Sequence, residues 1–98
     1  MTLRITTSKR ADRQIASALA WWARHRDKAP GALIEELDRA KALLVEAPHI
    51  GNPVYRTRRR GARVLHLKRV RYDLYYEVRG DTIVLLILWQ ANRRPPRL

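Results

Sequence analysis

The run of seven apolar residues from Ile83 to Trp89 sets the strongest constraint on how this chain can fold. It is rich in residues that favour β-strands, and it is far too short to cross a membrane as a helix. A strand with apolar side chains on both faces must be covered on both faces. We therefore expect Ile83–Trp89 to be the central strand of a sheet, with other parts of the chain packed on both sides or nearly so.

The residues before that run predict two further strands. Gly80–Asp81 separates it from the β-favouring stretch Tyr72–Val78, and a short connection of this kind is typical of a β-hairpin. The stretch Arg63–Val70 alternates, as a strand does. One side of this stretch carries Arg63, Leu65, Leu67 and Arg69, and the other carries Val64, His66, Lys68 and Val70.

Two amphipathic helices are predicted ahead of these strands, after a short N-terminal strand around Leu3 and Ile5. Ser8 is a plausible N-cap for the first helix. Its apolar stripe consists of Ala11, Ile15, Ala18, Leu19 and Trp22, and the seam of the second helix, from about 32 to 46, consists of Leu33, Leu37, Ala40, Leu44 and Ala47. The stretch RHRDKAPG, residues 24–31, breaks the helical pattern between them.

The predicted element order is β-α-α-β-β-β, in a single domain over residues 1–98 with a basic tail at about 90–98. The fold class that suits this order is α+β: a small antiparallel sheet with the N-terminal helix hairpin packed on one face. The other face of the sheet would then be exposed. We expect it to display the basic and aromatic residues of the second half of the chain.

The charge of the chain favours an anionic partner. Its formal net charge is +12, and residues 51–98 carry twelve Lys or Arg against three Asp or Glu. A surface of this kind attracts DNA, RNA or an acidic protein. The absence of cysteine and of an N-terminal signal pattern fits the cytoplasm. Three scattered histidines have no ligand spacing, so we expect no metal and no cofactor.

Four segments, in this order and spacing, resemble the ParE/RelE superfamily of toxins from type II toxin–antitoxin modules. They are ADRQIASALAWW, LIEELDRAKALLVEAPHIGNPV, GARVLHLKRVRYDLYYEV and TIVLLILWQANRRPP. The last is similar to the family's strand followed by WH-x-x-R-x-x-P, with Gln90 in the place of the histidine. The resemblance implies a RelE/ParE-like fold. It also implies a toxin of a plasmid-stabilisation module that a cognate antitoxin, with an acidic C-terminal segment, neutralises.

The resemblance leaves two mechanisms open. RelE-like members are ribosome-dependent mRNA endonucleases, whereas ParE-like members bind DNA gyrase and carry out no chemistry. The two cationic strand positions of RelE-like enzymes match Val64 and His66 here, and their following arginine position matches Asp73, a reversal of charge. Arg93 matches the arginine after the last strand. The resemblance therefore favours the ParE-like mechanism, with His66 and Arg93 as the catalytic candidates if the chain is a ribonuclease.

A third interpretation is a non-toxic, basic nucleic-acid-binding module, since charge alone does not identify the partner. Tyr75 is expected to face out of the sheet, whereas Tyr72 or Tyr76 is expected in the core. Trp89 is expected to pack under the tail, and Trp21 to be partly exposed. The candidate residues for contact with the target or the antitoxin are Arg58, Arg59, Arg60, Arg63, Lys68, Tyr75, Arg93 and Arg94.

Overall fold

The computed structural model of the protein describes residues 3–25, 29–55 and 57–98. Within them the chain forms two helices and five strands. These are β1 (Arg4–Thr7), α1 (Lys9–His25), α2 (Ala32–Glu46), β2 (Asn52–Pro53), β3 (Ala62–Leu67), β4 (Tyr72–Arg79) and β5 (Thr82–Gln90). The predicted α+β class and element order are confirmed, with the two-residue strand β2 added. Residues 26–28 of the predicted break between the helices, and Arg56 of the basic run, lie outside the described residues.

The five strands form one mixed sheet in the order β1-β5-β4-β3-β2. Three of the four neighbouring pairs are antiparallel, as predicted, but β1 runs parallel to β5 and pairs Ile5 with Ile83. β1 and β5 are parallel because the meander of β3, β4 and β5 brings the last strand back beside the first strand, running in the same direction. β5 has a neighbouring strand on each side, as expected from its apolar sequence. The strand at the middle of the five is β4, however, and not β5.

The N-cap of α1 and a side chain of its second turn complete the backbone hydrogen bonding of β5 where β1 ends. The Ser8 hydroxyl accepts a hydrogen bond from the Ala11 backbone N–H (3.0 Å), which confirms Ser8 as the N-cap, and it donates to the Leu86 carbonyl (2.9 Å). Further along, the Gln14 side-chain oxygen accepts from the Leu88 N–H (3.0 Å). Helix α1 is therefore fixed against the edge of β5 by polar bonds as well as by its apolar stripe.

The larger hydrophobic core lies between the helices and one face of the sheet. It contains most of the predicted seam of α2, together with the buried Trp22, and the sheet contributes Leu67, Tyr72, Leu74, Tyr76, Ile83, Leu85 and Leu88. Tyr76 is fully buried, as is Leu74 beside it in the sheet. One of Tyr72 and Tyr76 was expected in the core, and both lie there.

The opposite face of the sheet carries a second apolar cluster, formed by Tyr75, Leu86 and Ile87. A register shift in β5, where Ile87 pairs with Tyr75 and Leu85 pairs with Tyr76, leaves Leu86 as the extra residue of a bulge. Val54 and Leu98 are among the residues that pack against this cluster. Tyr75 does face away from the helices, but it is only 7% exposed, so its predicted exposure is wrong.

A hydrogen-bonded loop joins the end of α2 to the sheet. The Gly51 backbone N–H donates to the Tyr76 hydroxyl (2.9 Å), and the Arg63 guanidinium donates to the carbonyls of His49 (3.0 Å) and Gly51 (2.8 Å). A Cβ at residue 51 would lie 2.7 Å from the Tyr76 hydroxyl and 2.9 Å from the Val64 carbonyl oxygen. The close approach therefore requires glycine here for steric reasons.

No helix among the described residues is both long enough and apolar enough to cross a membrane.

Candidate functional site

The arginine-rich loop, residues 57–61, is anchored to the sheet by its middle arginine. Arg59 Nη1 lies 3.4 Å from the Glu77 carboxylate, which is buried on the face opposite the helices and is also paired with Arg79. Arg58 and Arg60 are exposed, and neither forms an ion pair with a described carboxylate. All three arginines are exposed, and Arg59 alone among them forms an ion pair with a described carboxylate.

Arg63 lies on the helix side of β3, opposite Tyr76. Its guanidinium binds the two loop carbonyls described above, and the side chain is partly buried. Of the predicted contact residues, Arg63 and Arg59 therefore have structural bonds within the chain itself. These bonds do not exclude a contact with a partner, and the role predicted for both residues remains a prediction.

His66 and Asp73 form a pair on the face opposite the helices. They are direct cross-strand partners of β3 and β4, and His66 Nδ1 donates a hydrogen bond to the Asp73 carboxylate. The imidazole is about half exposed, whereas the carboxylate is largely buried. A buried carboxylate that holds one ring nitrogen orients the imidazole and leaves its other nitrogen for a ligand. A carboxylate that orients a histidine in this way is found beside general acids and bases in some enzymes.

The turn between β3 and β4, residues 68–71, determines which residues pair across the hairpin. Predicted to continue the strand, Lys68–Val70 instead belong to this four-residue turn, in which Val70 turns into the core. Arg71 adopts the left-handed backbone conformation (φ 58°), and its N–H bonds to the Leu67 carbonyl. This geometry pairs Leu67 with Tyr72, and the next pair is therefore His66 with Asp73.

The tail after β5 is held on the body of the protein. The Trp89 indole N–H donates to the Arg94 carbonyl (2.8 Å), and the Arg93 guanidinium carbon lies 4.1 Å from the Trp89 ring centroid. Farther along, Arg10 of α1 donates to the Arg97 carbonyl (2.9 Å). The prediction that Trp89 packs under the tail is confirmed. Arg93 stacks on this indole, and Arg94 is exposed.

Two adjoining cavities open between α1 and the end of the sheet. The larger, about 660 Å³, is lined by Trp21, Trp22, His66, Leu67, Lys68, Val70, Arg71, Tyr72, Asp73, Gln90, Ala91 and Asn92. The smaller, about 330 Å³, is lined by Arg13, Gln14, Ser17, Ala18, Trp21, Tyr72, Leu88, Trp89, Gln90 and Arg93. We call the two together the end groove. Its walls combine indole and phenol rings with cations and amides.

The end groove brings together some of the sequence-predicted site residues and not others. His66, Lys68 and Arg93 line it, whereas Arg58, Arg59, Arg60, Arg63, Tyr75 and Arg94 line neither cavity. Sequence reasoning missed Arg13 and Arg71 as members of this site. The one signal in the sequence was that Arg13 lies off the apolar stripe of α1, and the structure places it beside the end of β5.

Burial raises the pKa of two phenols in the sheet. Desolvation is the main cause for Tyr75, and the nearby negative charge of Asp73 raises its pKa further. Desolvation also raises the pKa of Tyr76, although the hydrogen bond from Gly51 and the charge of Arg63 oppose part of that rise. Both phenols are therefore neutral at physiological pH. Among the described residues, no group of three or more His, Cys, Asp or Glu is arranged to hold a metal ion.

Comparison with known proteins identifies similar sequences and folds. The family model for the ParE toxin of the type II toxin–antitoxin system parDE matches residues 5–95. A structure of the chromosomal ParDE toxin–antitoxin system from P. aeruginosa is similar at a TM-score of 0.72 with 16% identity, covering 92% of this chain and 97% of that chain.

The E. coli DinJ–YafQ toxin–antitoxin complex is similar at a TM-score of 0.65 with 16% identity, covering 92% of this chain and 93% of that chain. The structure of YafQ from E. coli strain BL21(DE3) is similar at a TM-score of 0.63 with 17% identity, covering 90% of this chain and 92% of that chain. A comparison with curated protein sequences finds no significant match. The structural likenesses confirm the fold that the resemblance implied.

Proposed function

Because the chain belongs to the ParE toxin family of type II toxin–antitoxin systems, we propose that it arrests growth by binding DNA gyrase and performs no chemistry of its own. A cognate antitoxin with an acidic C-terminal segment neutralises it. The module serves plasmid stabilisation, and the protein acts in the cytoplasm, where gyrase and DNA are found.

The observation that carries this proposal is the set of residues at the strand positions where a RelE-like nuclease needs cations. Those positions hold Val64, His66 and the buried carboxylate of Asp73. Cleavage of a phosphodiester requires fixed positive charge around the phosphate in the transition state. An apolar side chain and an acid at these places favour contact with a protein target over RNA cleavage.

The distribution of unpaired cations supports an acidic antitoxin as the partner. Arg58, Arg60 and Arg94 are exposed and form no ion pair with a described carboxylate. Bidentate binding of carboxylates by arginine gives both affinity and orientation. The solved ParDE and DinJ–YafQ structures are named as toxin–antitoxin systems or complexes, which agrees with a partner of this kind.

Brief induction of the chain in a bacterial host, with growth and RNA 5′ ends recorded in parallel, tests the proposal. We expect growth arrest without new 5′ ends inside translated codons, and we expect co-expression of the antitoxin to restore growth. New ends inside codons would contradict the proposal. A chain that leaves growth unchanged would also contradict it, and would favour a non-toxic nucleic-acid-binding module.

A ribosome-dependent mRNA endonuclease is the second candidate, and the His66–Asp73 pair is the observation that favours it. Both residues line the larger cavity together with Lys68 and Arg71, so an acid–base group lies beside two cations. For this function, His66→Ala and Asp73→Asn would each abolish growth arrest, because the imidazole would be lost or no longer oriented. For gyrase binding, we expect both variants to arrest growth as the unmodified chain does.

A further inference from the structure

We propose that the face of the sheet opposite the helices binds a peptide segment of acidic and aliphatic residues through Arg59 and Arg79, which Glu77 holds together. We call these three residues the arginine clamp. The inference rests on the proposed function for the source of the segment, because an antitoxin with an acidic end supplies one. It goes beyond that function by naming the site and the side chains that the segment must carry.

The arginine clamp lies at the opposite end of β4 from the end groove. Asp73, which lines the groove, is near the start of this strand, whereas Glu77 and Arg79 are at its end. Glu77 pairs across the sheet with Ala62, the first residue of β3 after the arginine-rich loop. A ligand of the clamp therefore occupies a surface distinct from the end groove.

Two guanidinium groups of the clamp converge on one carboxylate oxygen. Arg59 Nη1 lies 3.4 Å from Glu77 Oε1, and Arg79 Nη2 contacts the same oxygen. The Glu77 side chain is 5% exposed, whereas the side chains of Arg59 and Arg79 are 43% and 63% exposed. Each guanidinium carries five N–H donors, so both have donors left for a second carboxylate. A buried acid thus fixes the positions of two cations that solvent reaches.

The clamp and its loop carry more positive charge than their one acid neutralises. Arg58 and Arg60 flank Arg59, and Glu77 is the one described carboxylate that pairs with this loop or with Arg79. Two guanidinium groups that meet at one oxygen repel each other, and a second carboxylate between them offsets that repulsion. Arginine binds carboxylates in a bidentate manner, which adds orientation to the attraction. The charge of the clamp therefore favours an added anion.

The backbone of the arginine-rich loop is fixed at Arg59. The Arg59 N–H donates to the Thr57 hydroxyl (3.1 Å), and the Arg59 carbonyl accepts from the Ala62 N–H (3.4 Å). Gly61 adopts the left-handed conformation (φ 77°) that lets the chain turn into β3. Arg59 therefore has a defined position before any ligand binds, which lowers the entropy cost of binding.

Three valines surround the clamp, and they favour a peptide over a nucleic acid. Val84 is the cross-strand partner of Glu77, and Val64 lies one pair farther along the same face. The Val54 N–H bonds to the carbonyl of Ala62, on the other side of Glu77 (2.9 Å). All three valines are partly buried and pack on the second apolar cluster. A segment in which acids alternate with aliphatic residues matches this pattern, whereas a phosphate backbone has no apolar side chain to place there.

Fluorescence polarisation with a short labelled peptide, in which glutamate and valine alternate, tests the proposal. The double variant Arg59→Lys/Arg79→Lys keeps the net charge and leaves Glu77 with cationic partners, but it removes the bidentate guanidinium groups. We expect this variant to bind the peptide about tenfold more weakly than the unmodified chain, as for the loss of one hydrogen bond to a charged group. A peptide with serine in place of valine should bind the unmodified chain at least about fivefold more weakly.

The matched control is Arg24→Lys/Arg97→Lys, the same substitution at two exposed arginines away from the clamp. It should change the affinity by less than about twofold, as expected for exposed charges. Thermal unfolding of each variant establishes that it is folded, and the single variant Arg79→Lys replaces the clamp double variant if the latter is not.

Three results would overturn the proposal. Equal losses in the clamp variant and the control, or equal affinities for the valine and serine peptides, would show that binding follows net charge alone. A duplex oligonucleotide that binds more tightly than the peptide, with the same dependence on Arg59 and Arg79, would show that the clamp is a phosphate site. The peptide measurements use the purified chain and do not depend on growth arrest. Their failure would therefore leave the gyrase proposal intact, and a chain that does not arrest growth would contradict that proposal alone.

Discussion

Replacement of Tyr76 by phenylalanine isolates the hydrogen bond that joins the loop after α2 to the sheet. Tyr76 is fully buried, and its hydroxyl accepts the backbone N–H of the buried Gly51 at 2.9 Å. Tyr76→Phe leaves that N–H without a partner in a place that water does not reach. An unsatisfied buried donor of this kind costs about 1–3 kcal/mol of folding free energy.

Tyr75→Phe is the matched control for this change. Tyr75 is adjacent and nearly as buried, but its hydroxyl makes no hydrogen bond within the described residues. Its removal should therefore change stability by less than about 0.5 kcal/mol. Comparison of the two variants separates loss of the hydrogen bond to Gly51 from loss of a tyrosine hydroxyl as such.

Thermal and urea unfolding, followed by far-UV circular dichroism and tryptophan fluorescence, measure both variants. For a chain of this length, about 1 kcal/mol shifts the midpoint by roughly 4–8 °C. Tyr76→Phe should therefore lower Tm by about 5–20 °C, and Tyr75→Phe by less than about 4 °C. Equal shifts for the two variants, or a Tyr76→Phe variant within about 0.3 kcal/mol of the parent, would refute the role given to this bond.

Further variants and conditions extend the test to other parts of the sheet. Gly51→Ala should cost about 1–3 kcal/mol in urea unfolding, because its Cβ would overlap the Tyr76 hydroxyl, and a fully stable variant would contradict that contact. Above about pH 10 stability should fall as pH rises, because the unfolded chain ionises phenols that the folded chain keeps neutral at Tyr75 and Tyr76. This fall should be shallower in Tyr76→Phe, and urea midpoints between pH 9 and 11.5 measure it. Arg71→Gly should leave the free energy of unfolding unchanged or raise it by up to about 1 kcal/mol, since glycine adopts the required φ without strain. A clearly lower Tm for this variant would argue against backbone strain at Arg71. Glu77→Gln should cost about 1–2 kcal/mol and speed tryptic cleavage in the arginine-rich loop, and an unchanged cleavage rate would show that the loop does not depend on this carboxylate.

The two helices and the order of the elements along the chain were predictable, because the sequence signals for each element are local. The seam of α2 predicts its span, and the observed helix, Ala32–Glu46, has those bounds. Ser8 was predicted as an N-cap from residue type and position, and its hydroxyl takes that role. The apolar run of β5 required cover on both faces, and the second cluster around Ile87 provides it on the side away from the helices.

The details that decide the candidate site depend on register, which the sequence does not specify by itself. The extra residue at Leu86 places two successive side chains on one face, and no glycine marks the bulge. Likewise, the turn before β4 contains no glycine or asparagine, and its left-handed residue is Arg71. The pairing of His66 with Asp73 follows from that turn, so the carboxylate that orients the imidazole was not expected.

This pairing also changes the interpretation of Asp73. From the sequence, an acid in the place of an arginine argues against RNA cleavage by charge repulsion. In the structure the carboxylate is bound to His66, and an acid that orients a histidine is a common partner in acid–base catalysis. The gyrase proposal therefore rests on the lack of cations at the strand positions, and Asp73→Asn is a more informative variant than a restored arginine.

The most direct test of the central claim is supercoiling of relaxed plasmid by purified DNA gyrase in the presence of the purified protein, without ribosomes or RNA. We expect inhibition of supercoiling that depends on protein concentration. We expect the same inhibition by His66→Ala, because a binding surface and not an acid–base group acts on the target. Full gyrase activity at concentrations well above those that arrest growth in cells would contradict the claim.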